Sequence, residues 1–219
     1  MGICRRSDIN GWNAYSVYQN MSFIVMVGCD GSGKSSVINE LIESLESDGV
    51  PVTTGHWCPK PFSKKGSRSV DQSTVENPHD QIPRSAVGSI FKLIWIGVNW
   101  WLAWWLSLVR DARMGHVIFD RYYGDLLVDP RRYRYGGPMC LARLWVRLLP
   151  QPDILIFLDA PEEILLKRKQ EVPFEALTQS RARSHKLIES NKNGVVVDAS
   201  LVLEKVVGTI VGLVAEIYN

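Results

Sequence analysis

The sequence predicts an α/β fold with a parallel sheet. Five short β-rich runs alternate with stretches of helical periodicity, and those runs are largely apolar rather than alternating, as strands covered on both faces are. A glycine-rich loop joins the first such strand to the first helix. The 219 residues fit one large domain or two small ones, and a hydrophobic share of 46% supports a sizeable core.

The elements follow in order. Residues 1–20 lack the apolar core of a secretory signal, and Arg6 stands where a myristoylation pattern needs Ser or Thr. They are read as an extension outside a domain spanning 21–219. "FIVMVG" (23–28) is the first strand, and Val37, Ile38, Leu41, Ile42 and Leu45 give residues 34–48 one apolar helix face. "PVTTGHW" (51–57) is a β-branched second strand. Residues 59–81 are polar and rich in Pro, Gly and Ser, the least ordered stretch expected. Residues 84–113 are helical and very apolar. "HVIFDRY" (116–122) is the third strand, and 138–149 the next helix. "DILIFLDA" (153–160) is the fourth strand. A helix over 161–171 opens with Pro161, Glu162 and Glu163, a favourable first turn. "GVVVDAS" (194–200) is the fifth strand and 201–218 the last helix.

Bulk properties narrow the function. A net charge of +2 is too small to argue for a nucleic-acid partner. Cys4, Cys29, Cys58 and Cys140 are scattered, with neither zinc spacing nor a disulfide framework, so a reducing cytoplasm is expected. His56, His79, His116 and His185 show no metal spacing.

"GCDGSGKS" (28–35) carries the chemistry, since it matches the phosphate-binding pattern G-x-x-x-x-G-K-[ST] in a strand–loop–helix context. Gly28, Gly31 and Gly33 permit a tight loop whose N–H groups converge on phosphate oxygens. The helix N-terminus adds a dipole that favours anions. Lys34 brings a point charge to the β- and γ-phosphates, and Ser35 a hydroxyl for Mg²⁺. Asp30, Ser32 and Ser36 complete the nucleotide-binding stretch. No guanine-reading N-K-x-D occurs, since "NKNG" (191–194) lacks the Asp, and the length suits a small kinase.

The ordered set "VGCDGSGKSS", "HVIFDRYY", "PDILIFLDAPEEILLKR" and "VVVDAS" resembles the thymidylate kinases from about residue 22 onward. The resemblance implies a three-layer P-loop NTPase fold, with a five-stranded parallel sheet, helices on both faces and a lid near 165–180. It implies a phosphotransferase that uses ATP and Mg²⁺ on a small acceptor, nominally dTMP or another nucleoside monophosphate. Asp30 would lie near the acceptor's sugar hydroxyl, Asp120 would hold Mg²⁺ through water, and Arg121 would neutralise a phosphate. The lid cluster Lys167, Arg168 and Lys169 would supply a catalytic cation, with Arg168 the choice. The equivalent of the long apolar helix forms a homodimer in the family, so a homodimer is expected.

The acceptor half departs from the family. Its Arg-Glu-Pro after the second strand is replaced by "TTGHWCPKP" (53–61), where His56 is the candidate contact. The position of its acceptor-binding helix Arg falls near Asn99. After Asp120-Arg121-Tyr122 the chain runs "YGDLLVDPRRYRYGGP", which offers Tyr122, Tyr123, Arg131, Arg132 and Arg134 to an anionic acceptor. This divergent pattern resembles thymidylate-kinase-like proteins of cell-surface polysaccharide synthesis, which keeps a sugar, glycan or lipid-linked acceptor open. A non-catalytic nucleotide-binding module is the third reading. "LIWIGVNWWLAWWLSLV" (93–109) has no charge, but it is slightly short for a membrane span and lies between two predicted strands. It is expected to be buried in the core or at a dimer interface, with the tryptophans opposite a stripe of Lys92, Asn99, Ala103, Ser107 and Arg110. An aromatic acceptor groove or contact with the inner membrane surface is the alternative.

Overall fold

The computed structural model describes residues 22–59, 82–168 and 174–216. The N-terminal extension 1–20, most of the polar stretch 59–81 and the lid residue Lys169 lie outside them. Five strands form one parallel sheet: β1 (Phe23–Gly28), β2 (Val52–His56), β3 (His116–Asp120), β4 (Ile154–Asp159) and β5 (Gly194–Asp198). Their spatial order is β2-β3-β1-β4-β5. The order reverses beside β1, and ligands bind outside the carboxyl ends of strands at such a switch point.

The pleat sends successive β1 side chains to opposite layers. Ile24 and Met26 join one apolar cluster, with Ile156, Leu158, α1 (Lys34–Ser47) and α7 (Leu203–Glu216). Phe23, Val25 and Val27 join the other, with Phe119, Phe157 and α2 (Ala86–Asp111). The central strands β1, β3 and β4 are buried almost throughout. The edge strands β2 and β5 are only partly covered, because each has a neighbour on one side only. The remaining helices are the short α3 (Asp125–Val128), α4 (Met139–Leu148), α5 (Glu162–Arg168) and α6 (Phe174–Glu189).

Helix α6 is the element the sequence pattern hides. Its buried positions are Leu177, Ser184 and Ile188, so a small polar residue fills one place on the inner face and blurs the apolar period. Helix α2 departs from the expected burial. Trp100 is fully buried against Phe23, Phe119 and Tyr122, on the same side as Ala103. Trp95, Trp101 and Trp105 face outward. A π-helical turn, Trp104–Leu108, shifts the register of the last turns. The wheel reading that set Trp100 opposite Ala103 is therefore wrong for Trp100, and burial all round is wrong for half the helix. The helix leads straight into β3 and packs along the sheet, which is incompatible with a bilayer crossing.

Candidate active site

The phosphate loop occupies the carboxyl end of β1. Gly31 and Gly33 have φ of 86° and 83°, a left-handed backbone that favours glycine, and Gly33 caps α1. The Lys34 ammonium donates to the carbonyls of Gly28 (2.7 Å) and Cys29 (3.0 Å), inside the loop. Burial, helped by the charge of Arg121, lowers its pKa to about 8. Ser35 and Ser36 stand exposed on the first turn of α1.

Three strand ends meet beside this loop. Asp120 pairs in register with Met26 of β1 and His56 of β2. Its Oδ1 is buried with no hydrogen-bond partner among the described residues. A buried carboxylate oxygen in that condition suits a hydrated cation, so Asp120 and Ser35 fit Mg²⁺. His56 is held below the ordinary imidazole range, first by burial and then by Arg121 and Arg132, against the opposing pull of Asp120.

Arg121 is the centre of the cleft. Its φ of 68° is unusual for a residue with a side chain, and it turns the guanidinium between two carboxylates. Arg121 donates to Asp30 at 2.7 Å and to Asp125 at 3.0 Å. Burial opposes its charge, but the carboxylates of Asp125 and Asp30 hold it firmly cationic. Burial likewise pushes the Asp125 carboxyl up against the pull of Arg121. Arg132 reaches the other oxygen of Asp30 at 3.4 Å. These groups line a solvent-open cleft together with Tyr133, Ser180 and Ser184. Two guanidiniums thus converge on one aspartate at the mouth of the phosphate loop.

The Arg/Tyr loop is a built wall. Tyr133 stacks on Trp57 at 4.6 Å and 13°, and Lys92 lies 5.8 Å above the Trp57 ring while donating to the Tyr133 carbonyl. Arg134, at φ 53°, donates to the Ile82 carbonyl, and its own carbonyl accepts from the Arg84 N–H. Gly136 N–H donates to Ser89 of α2 at 2.9 Å. The loop is thereby pinned to the start of α2.

Several predicted site residues stand elsewhere. Tyr122 and Tyr123 are core side chains, and their hydroxyls donate to the carbonyls of Pro150 and Val146. The turn at Arg121 carries both rings away from the cleft, which corrects their reading as acceptor contacts. Asn99 donates to the Trp95 carbonyl of its own helix. Arg131 is exposed and Arg134 is spent on the loop anchor, which leaves Arg132 as the loop arginine in the cleft. Arg168 donates to the Ala199 carbonyl after β5 and makes no contact with Asp30 or Arg121.

The structure places a different cation cluster on α6. Arg181 of α6 grips Asp159 through Nε (2.7 Å) and Nη2 (2.8 Å) and Glu162 through Nη1 (2.9 Å). His185, one turn on, lies 3.1 Å from the same Asp159. The hydrogen bonds and charge of Arg181 and His185 hold Asp159 below the usual carboxylate range against its burial. The sequence carried this pair only as basic residues at i and i+4. Asp125 was legible in the same way, four residues after Arg121.

A glycine-cradled lysine, a strand-end aspartate and a converging arginine pair define a P-loop phosphotransferase. The sequence comparisons agree. The chain is 30% identical over 190 residues to the probable thymidylate kinase 1 of Saccharolobus solfataricus, covering 81% of this chain and 88% of that protein. It is 25% identical over 189 residues to a probable thymidylate kinase of Archaeoglobus fulgidus, covering 84% and 89%. No family model matches. The chain belongs to the thymidylate kinase family, and it is a kinase.

Proposed function

We propose that the protein transfers the γ-phosphoryl group of ATP to the phosphate of a nucleoside monophosphate, with dTMP the first candidate. The observation that carries this reading is the pair Arg121 and Arg132 meeting at Asp30 beside Lys34. An acceptor phosphate displaces the arginines from Asp30 and takes both guanidiniums, a fork geometry suited to phosphate. The acceptor oxygen then forms a bond to the γ-phosphorus while the bond to the β–γ bridging oxygen breaks and ADP leaves. Charge spread over the transferred oxygens is met by Lys34 and Arg121. Ser35 and Asp120 would hold Mg²⁺, which would supply further charge neutralisation when bound. A lid near 165–180, whose residues 169–173 lie outside the described ones, is part of this reading. Arg168 reaches the phosphates only by leaving Ala199, and Arg181 only by leaving Asp159 and Glu162.

A second reading keeps the kinase and changes the acceptor to a sugar, glycan or lipid-linked molecule of cell-surface polysaccharide synthesis. It is favoured by the anchored loop 130–138, which stands where the family's base-reading residues would be. ADP release measured with MgATP over a panel of nucleoside monophosphates separates the two. Saturable stimulation by dTMP or a related monophosphate supports the first reading. No stimulation by any of them, with labelled phosphate entering an extracted lipid-linked fraction, supports the second.

The kinase works in the cytoplasm. For the outer face of α2 the partner is a second copy of the chain, with contact to a lipid surface the alternative.

A further inference from the structure

Arg121 is shared between two carboxylates in different settings. Its Nη2 donates to Asp30 at 2.7 Å and its Nη1 to Asp125 at 3.0 Å. Asp30 belongs to the phosphate loop, is half-buried, and also accepts from Arg132. Asp125 is 6% exposed, and its ion pair is with Arg121. A carboxylate buried this deeply needs a cation and hydrogen bonds to offset its lost hydration. Phosphoryl transfer as described above leaves Asp125 without a task.

The backbone around Asp125 is fixed. It opens α3, and its N–H donates to the Tyr122 carbonyl at 2.9 Å, just after the two core tyrosines. Leu126 and Val128 are buried, and the Val128 carbonyl accepts from Arg183 of α6 at 3.1 Å. At the far end the Asp125 carbonyl accepts from the Asp129 N–H at 2.8 Å. The Asp129 carboxylate in turn accepts from the Arg132 N–H at 3.1 Å. One short helix thus carries the carboxylate that holds the Arg121 side chain and leads to the one that caps the Arg132 backbone. The spacing of the two cleft guanidiniums is set from α3.

The left-handed backbone at Arg121 persists only where its surroundings fix it. Its N–H donates to the Met26 carbonyl at 2.9 Å, and Asp125, four residues on, holds the far end of the side chain. A long side chain loses rotamer freedom when it binds a ligand, and one held in advance has already lost it. We propose that Asp125 is a positioning residue for the acceptor: it keeps Nη1 of Arg121 throughout the cycle, so that Nη2 is left to exchange Asp30 for the acceptor phosphate. This inference rests on the reading of Arg121 as a partner of the acceptor. It makes the two carboxylates on Arg121 unequal, since Asp30 is exchanged and Asp125 stays.

The test is steady-state ADP release with the monophosphate that stimulates the wild type most. Asp125→Asn keeps the shape and removes the charge. It should lower kcat/KM for the acceptor by roughly 10–100-fold with the KM for ATP unchanged, and Asp125→Glu should recover part of the loss. The effect must run through Arg121, so Arg121→Ala combined with Asp125→Asn should be no slower than Arg121→Ala alone. Wild-type acceptor kinetics in Asp125→Asn overturn the proposal, even where its melting temperature falls. Losses that add in the double variant overturn it too. Should Asp125→Asn fail to fold, NMR of the wild type with isotope-labelled arginine decides. The Arg121 Nη1 signal should stay in place as acceptor is added while Nη2 shifts, and a shift of Nη1 instead overturns the proposal. Wild-type acceptor kinetics in Arg121→Ala, or no stimulation by any monophosphate, would remove the acceptor reading and this inference with it. A normal Asp125→Asn beside an impaired Arg121→Ala removes the inference alone.

Discussion

Raising the pH from 7 to 9 should weaken nucleotide binding through one lysine. Burial and Arg121 lower Lys34 from an ordinary 10.5 to about 8. The shift corresponds to roughly 3 kcal/mol of penalty on the charged form, which the phosphates of a bound nucleotide offset. The free protein therefore holds a largely protonated Lys34 at pH 7 and a largely neutral one at pH 9. Binding at the higher pH must take up a proton. If binding requires the ammonium, affinity falls by about tenfold between pH 7 and pH 9 and about thirtyfold by pH 9.5. Burial raises Cys29 to about 11 and lowers His56, so neither titration masks the effect. Lys92 is also brought down to about 8, first by burial and then by Arg84 and Arg134, but it sits on the acceptor wall. Isothermal titration with an ATP analogue and Mg²⁺ across this range reads the slope directly. Lys92→Met should keep the slope, and Lys34→Met should lose both affinity and slope. An affinity that is flat from pH 7 to pH 9 in the wild type would refute the reasoning.

Three further outcomes follow from the same geometry. Asp120→Asn removes charge from the buried Oδ1 site and is expected to weaken apparent Mg²⁺ affinity by roughly 10–100-fold in activity titrations, with the melting temperature little changed. Tyr123→Phe deletes a buried hydroxyl that bonds Val146, Tyr122 and Gln151. It should cost about 1–3 kcal/mol in urea unfolding while the acceptor KM stays as in the wild type; a raised acceptor KM would restore Tyr123 to the site. Trp100→Ala empties the centre of the aromatic layer and should cost about 3–5 kcal/mol, whereas Trp101→Ala on the exposed side should cost far less by the same measurement.

The fold was legible because its strongest signals are local. The five apolar runs lie within two residues of the observed strands, and the loop at 28–35 needs only its own glycines, lysine and serine to be recognised. What remained hidden depends on three-dimensional juxtaposition. Arg121 and Arg132 are brought to Asp30 from other strand ends and loops, and no spacing in the chain announces that meeting. Tyr122 and Tyr123 follow the motif Asp120-Arg121 and read as its continuation, yet the left-handed turn at Arg121 sends them into the core. Trp100 and Trp101 are neighbours in sequence with opposite fates, decided by which face of α2 meets the sheet. Helix α6 was masked by Ser184, and with it the clamp of Arg181 on Asp159.

The central claim is that Arg132, from the loop after β3, holds the acceptor's anionic group beside the phosphate loop. Steady-state kinetics of Arg132→Ala tests it most directly. A charged hydrogen bond of about 1.5–3 kcal/mol implies an acceptor KM raised by roughly 10–150-fold. The KM for ATP should be unchanged, and Arg132→Lys should recover part of the loss. An acceptor KM identical to that of the wild-type enzyme would contradict the account.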